Sequence, residues 1–228
     1  MEKALALENC SPGALRKLPA DCRAVVIGSE FCSGLLPSPA EARALRRKSR
    51  GRIILATTLL TQAALEKVKE LIKIINSGGP AEVVANDLGL LETLRAGRKA
   101  PPVSCGRILA HRVKIMPEAY ARNFLARYRV AGFEVDDASI IKRLAPYGLP
   151  FSWHYPFRYA TVTRFCPWEN RWAAGCARSC LGRARKLVSP RVPGPLWLRG
   201  CAYFIPGQKP RRDAARNVYT PPAETNEA

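Results

Sequence analysis

"GRIILATTLLTQAALEKVKELIKIINSGGPAEVVANDLG", residues 51–89, sets the fold class. It opens on a β-branched, aliphatic run that reads as a buried strand, and Thr57 and Thr58 close that run as caps. "TQAALEKVKELIKII" then places Leu65, Val68, Leu71, Ile72 and Ile75 on one face of a helix. "NSGGP" breaks the helix, and "AEVVA" is a second apolar strand. Two strands separated by a helix of this length cannot form a hairpin. They lie parallel, joined by a right-handed crossover.

The same unit repeats outward. "KALALE" is a weak first strand and "RAVVIGSEFC" a firm second. "SPAEARALRRKSR" is a helix with Ser38 suited to its cap and Pro39 to its first turn. Downstream come the helix "LLETLRAGRK", a fifth strand in "PPVSCGRIL", the helix "PEAYARNFLARYRVAG", a sixth strand in "FEVDD", the helix "ASIIKRLAPYG" and a seventh strand in "LPFSWHYP". No GxGxxG or P-loop follows any strand, which argues against a nucleotide-binding sheet. Seven strand–helix units in 228 residues predict an α/β fold closed into a compact TIM-like (β/α) barrel. The expected organisation is barrel units over 1–156, a cysteine- and arginine-rich, cluster-binding region over 157–205 that completes the same domain, and a basic, partly disordered tail over 206–228.

"RFCPWENRWAAGCARSCLGRARK", residues 164–186, holds Cys166, Cys176 and Cys180 in a C-x9-C-x3-C pattern. A C-x3-C pair on a helix stands one turn apart and can grip one metal centre. Pro167 and Gly175 let the intervening loop turn back. Arg164, Arg171 and Arg178 favour the ligating thiolate. Neither a membrane span nor a signal peptide is indicated, so the expected address is cytoplasmic, where eight cysteines serve as ligands or small buried hydrophobes more readily than as disulfides. The spacing suits zinc or an iron–sulfur cluster, and either needs a fourth ligand. Cys10, Cys22, Cys32, Cys105 and Cys201 are available. Cys201 lies in the apolar run "WLRGCAYF", where a buried cysteine is unremarkable. Cys105 ends the fifth strand and Cys32 follows the second, and pattern alone leaves these three level.

The chain carries 37 Lys+Arg against 18 Asp+Glu, a net charge of +19. Residues 158–216 hold thirteen basic side chains with only Glu169 and Asp213 opposing them. Such a field attracts RNA, an acidic protein face or an anionic small molecule, although no RNA-specific motif accompanies it. Asn86 and Asp87 end a strand at the barrel mouth, where they would bind substrate or cap the next helix. Arg107 and His111 would bind an anion or lie on a solvated surface. Trp153, His154, Tyr155 and Tyr159 precede Cys166 and would stack on a ring or shield a cluster, as would Trp168 and Trp172. No Ser/His/Asp set or HExxH motif points to proteolysis.

"VVIGSEFCS", "RIILATTLLT", "AEVVANDLGLLE", "GLPFSWHYPFRYATVTRFC" and "LWLRGCAYF" together make the chain similar to the peptidase U32 (collagenase-like) family, nearest its UbiV branch for oxygen-independent ubiquinone biosynthesis. The resemblance covers most of residues 24–204. It implies a TIM-like barrel and a 4Fe-4S cluster on Cys32, Cys166, Cys176 and Cys180. It also implies a heterodimer with a second, UbiU-like member of the family, and hydroxylation without molecular oxygen, with prephenate as oxygen donor. Other branches hydroxylate RNA bases. The loop between Cys166 and Cys176 is shorter than the family's, and its glutamate near the first cysteine is shifted to Glu30. Three functions are therefore expected in turn: subunit of an oxygen-independent hydroxylase, RNA-base-directed relative, and zinc- or cluster-stabilised scaffold on an acidic partner.

Overall fold

Strands of five or six residues with apolar side chains on both faces need cover on both faces, and a closed parallel sheet wrapped by helices provides it. The computed structural model describes residues 1–7, 22–49, 51–97, 99–172, 175–188 and 194–225. Seven of its strands follow the sequence reading: β1 (Glu2–Ala6), β2 (Ala24–Gly28), β3 (Arg52–Ala56), β4 (Ala81–Ala85), β5 (Val103–Cys105), β6 (Val130–Val135) and β7 (Phe151–Tyr155). Between them run α1 (Pro39–Lys48), α2 (Gln62–Asn76), α3 (Leu88–Ala96), α4 (Arg107–Val113), α5 (Glu118–Arg127) and α6 (Ala138–Leu144). Helix α4 was absent from the sequence reading, which assigned "RIL" to the fifth strand. Seven residues after a glycine carry too little periodicity to declare a helix.

After β7 the chain leaves the barrel. It forms β8 (Phe157–Val162), the hairpin of β9 (Phe165–Cys166) and β10 (Arg171–Trp172), then β11 (Arg183–Leu187), β12 (Leu196–Arg199) and β13 (Ala202–Pro206). It returns as β14 (Arg216–Tyr219), which lies parallel between β7 and β1 and closes an eight-stranded barrel. The stretch read as a tail thus supplies the eighth strand, and the barrel is an α/β TIM-like one with its last helix replaced by a β excursion. A five-stranded sheet in the order β15-β11-β12-β13-β8, with β15 at Glu224–Thr225, caps one end.

The core has two layers. Val25, Ile27, Ile53, Leu55, Val83 and Ala85 face outward into the helices, against Leu45, Val68, Leu71 and Ile75. Ala4, Ala24, Val26, Ile54, Val84 and Val218 face inward. Alternation along the strands puts most even-numbered side chains inside, and on β5, β6, β7 and β14 these include the polar Ser104, Glu134, Ser152, His154 and Arg216, all buried. At the foot of the barrel Glu82 accepts from the two terminal guanidinium nitrogens of Arg216 at 3.1 and 2.7 Å.

Helix starts follow local chemistry. Ser38 and Glu41 form a reciprocal capping box on α1. Asp87 accepts from Leu90 N at 3.0 Å through one carboxylate oxygen and from Leu60 N at 3.1 Å through the other. Asp87→Ala is expected to cost about 1–2 kcal/mol, lowering the thermal midpoint by roughly 2–8 °C for a chain of this size, as calorimetry would read. Among the described residues no helix is long and apolar enough to cross a membrane.

Candidate metal centre at the barrel mouth

Cys32 is placed by the turn that follows β2. Ser29 Oγ accepts from Phe31 N at 3.1 Å and from Cys32 N at 3.2 Å, so the chain folds back at once. A short 3-10 turn over Ser33–Leu35 then leads to α1. Cys166 lies in the β9–β10 hairpin, paired with Arg171. Cys176 and Cys180 lie in a loop and turn, not on the helix their spacing suggested. That loop is ordered by Glu169, whose carboxylate accepts from Ala177 N at 2.9 Å and Ser179 Oγ at 3.0 Å and pairs with Arg171.

Arg178 fastens the late loop to the early one. It donates to Gly34 O at 3.1 Å and Leu36 O at 2.6 Å, and pairs with Glu41 Oε1 at 3.1 Å. Cys176 is thereby held over Gly34, where a Cβ would sit 2.8 Å from the Cys176 sulfur and 3.6 Å from that of Cys32. Cys32 and Cys166 share a buried group with Leu35 and Trp168, and Cys180 lies within electrostatic reach of Cys32, Cys166 and Cys176. The four cysteines that the family resemblance names, 134 residues apart between Cys32 and Cys166, therefore gather in one place.

A fifth joins them. Cys201, read from sequence as an ordinary buried residue, belongs to the same group as Cys32 and Cys166, and its sulfur stands 3.6 Å from that of Cys32. The turn between β12 and β13 brings it there, a contact that no sequence spacing signals. The hydrogen bond from Cys201 pulls the Cys32 thiol down to about 7, and the same bond pushes the Cys201 thiol up. Burial pushes Cys180 up to about 12 and raises Cys176. Cys105 is fully buried in the helix-facing core, Cys22 donates to Ala24 O at 2.9 Å, and Cys10 lies outside the described residues. The donor set is soft and sulfur-rich, which suits iron–sulfur clusters or zinc. Among the described residues, however, no group of three or more His, Cys, Asp or Glu side chains is placed so that it could hold a metal ion.

Gly34→Ala tests the packing at this point directly. The added methyl must displace Cys176, so the variant is expected to keep its fold by circular dichroism while losing at least half of any bound metal by elemental analysis.

A cavity of about 120 Å³ opens beside the cysteines, lined by Glu30, Arg107, His154, Cys180, Arg199 and Phe204 among others. Its floor is ionic. Glu30 Oε1 accepts from Arg107 Nε at 2.8 Å, and Arg107 NH1 reaches Asp136 Oδ2 at 3.0 Å. Glu30 and Asp136 are 3% and 0% exposed and Arg107 only 8%, so the solvated surface expected for Arg107 is not found. The ring of Phe31 covers its guanidinium at 4.6 Å. Burial alone would raise the Glu30 carboxyl, but Arg107 and His154 hold it below the ordinary carboxylate value. His154 Nε2 meets Glu134 Oε2 at 2.6 Å, while His154 Nδ1 and Glu134 Oε1 are buried without a hydrogen-bond partner in the structure.

The remaining candidates are dispersed. Asn86 is buried and committed: its amide donates to Thr57 O at 2.8 Å and Glu30 at 3.3 Å and accepts from Leu109 N at 3.0 Å. Thr57 caps nothing, since its hydroxyl donates to Val84 O and α2 is capped by Thr61. His111 is half-buried beside Tyr159, which stacks on Phe31 at 4.7 Å. Trp153 packs among the outer helices under Arg211, away from the cysteines, and Tyr155 lies against Tyr219. Trp168 does cover the cysteine group, with its ring 4.5 Å from the Arg185 guanidinium, whereas Trp172 is exposed. Sequence reasoning missed Glu134 and Asp136, although their places at the end of β6 are those of inward and mouth positions in a barrel.

No protein-family model matches the chain, and no curated protein or solved structure matches it significantly.

Proposed function

We propose that the chain is an iron–sulfur protein of the U32 type, holding a 4Fe-4S cluster on Cys32, Cys166, Cys176 and Cys180. Its role on this reading is that of a UbiV-like subunit in oxygen-independent hydroxylation. The observation that carries the reading is the meeting of one cysteine from the loop after β2 with three from a separate, later region, at the end of a parallel barrel where such folds keep their chemistry. A cluster bound there would supply one-electron transfer. The chain's own residues would do the rest. Arg178 and Glu169 hold the cysteine loops together, and Trp168 with Leu35 excludes water from the sulfurs. Arg199 and His154 line the adjoining cavity, whose cationic and aromatic walls suit a small anion such as prephenate. A UbiU-like partner and an RNA-base substrate belong to the same proposal as its outer reaches.

The test is to purify the full chain without oxygen, record its visible absorption and count iron, sulfide and zinc. About four irons per chain with a broad band near 400 nm are expected for thiolate-bound clusters of this type. A colourless protein with one zinc would instead assign it to metal-stabilised scaffolding.

A further inference from the structure

The five sulfurs outnumber the four corners of any such centre, and the extra one is not remote. Cys32 and Cys201 are 6% and 5% exposed, and their sulfurs are already in contact at 3.6 Å. A disulfide needs about 2.05 Å between sulfurs. Closing the gap therefore requires roughly 1.6 Å of movement between the sulfurs. The backbones on both sides are pinned close together. Ser29 Oγ fixes Cys32 N, Cys201 O accepts from Thr163 N at 2.9 Å, and a Cβ on Gly200 would stand 3.0 Å from Leu35 Cδ1. Such constraint keeps the two thiols together in every conformation that preserves the barrel mouth.

We infer that Cys32 and Cys201 form a reversible intramolecular disulfide when the metal-free chain meets a small peroxide. In the first step a sulfur attacks the peroxide: the O–O bond breaks, one thiol becomes a sulfenic acid and one water leaves. In the second the neighbouring thiol attacks that sulfenic sulfur, the S–O bond breaks, a second water leaves and the S–S bond forms. Two electrons pass from the sulfurs to the two peroxide oxygens, and the two thiol protons end in the waters. The cavity lined by Phe31, Leu35 and Gly200, neighbours of the pair, has room for a molecule of this size. The inference does not depend on which metal the site holds, yet it has a consequence for it. A disulfide takes Cys32 out of the ligand set, so an oxidised chain could not be loaded until a thiol reductant restored it.

The sequence makes the test clean, because trypsin places each of the five cysteines on its own peptide. Cys32 falls on Ala24–Arg43, Cys201 on Gly200–Arg211, and Cys166, Cys176 and Cys180 on Phe165–Arg171, Trp172–Arg178 and Ser179–Arg183. The full chain, treated with a chelator and then with one equivalent of hydrogen peroxide, would be alkylated, digested without reductant and mapped by mass spectrometry. The expected result is Ala24–Arg43 linked to Gly200–Arg211, with a loss of two free thiols per chain that dithiothreitol reverses. In Cys201→Ser that linkage is replaced by oxygen adducts on Cys32, and the wild-type map decides the matter should the variant not fold. Cys32 linked mainly to one of the other three peptides, or Cys32 and Cys201 both recovered free while other cysteines oxidise, would overturn the inference. Neither result would bear on the iron count that tests the cluster.

Discussion

Arg107→Met is expected to destabilise the protein by about 3–5 kcal/mol at neutral pH, the usual cost of stranding a buried charge by deleting its partner. Two charges are stranded here. Glu30 and Asp136 lie at 3% and 0% exposure and take Arg107 nitrogens at 2.8 and 3.0 Å. Methionine fills much the same volume between Phe31 and Phe204 but donates nothing. The pH dependence separates this cause from a packing defect. In the wild type Glu30 titrates below its ordinary value of 4.5, so its contribution to stability is present above that value and is lost as pH falls through the folded one. Without Arg107 the dominant remaining influence is burial, which raises the carboxyl. The variant should therefore gain stability as pH falls from 7 toward 5, while the wild type does not. Urea denaturation at the two pH values would show the gap narrowing, and a constant gap would leave only packing as the cause. Arg107→Lys should recover part of the loss, because a lysine supplies the charge without the planar fork.

Cys32→Ala is expected to remove most or all of the iron and the visible band while far-UV circular dichroism stays as in the wild type. The barrel does not need that side chain: its inner and outer cores are built from other residues. A cluster held as proposed would need it, because the other proposed ligands all come from the region after β8 and Cys32 alone among them belongs to a loop of the barrel. Cys105→Ala provides the comparison. Cys105 is as deeply buried but faces the helices, so its loss should cost about 1 kcal/mol of stability and no iron. Retention of iron in Cys32→Ala, with loss only in Cys32→Ala/Cys201→Ala, would move the ligand role to Cys201.

The cysteine site shows where spacing stops being informative. C-x9-C-x3-C identifies three partners because a short loop must return near its start, but the next ligand is set by chain topology. Pattern alone left Cys32, Cys105 and Cys201 level, and the fold brings two of these three to the site and turns the third into the core. Likewise the basic character of Arg178 was legible, while its use was not. It reaches back 144 residues to Gly34 O because the β excursion after β7 folds over the loop after β2.

What the sequence by itself determined is local and periodic. Apolar runs alternating with amphipathic helices pointed to a parallel α/β barrel, Ser38 started a helix and Asp87 completed a cap, because these depend on residues within a few positions of one another, whereas the cap expected of Thr57 and Thr58 falls to Thr61. Only the tertiary structure decided which strand closes the barrel and which charges lie inside it. "RNVY" is four residues long, too short to show a period of two, and becomes a strand because β1 and β7 each offer an open edge that must be paired. Closure then sets the parity of every strand. One residue of slip would have placed Glu134, His154 and Arg216 among the outer helices instead of within the polar half of the barrel, where Glu134 meets His154 across neighbouring strands and Arg216 meets Glu82 from far earlier in the chain.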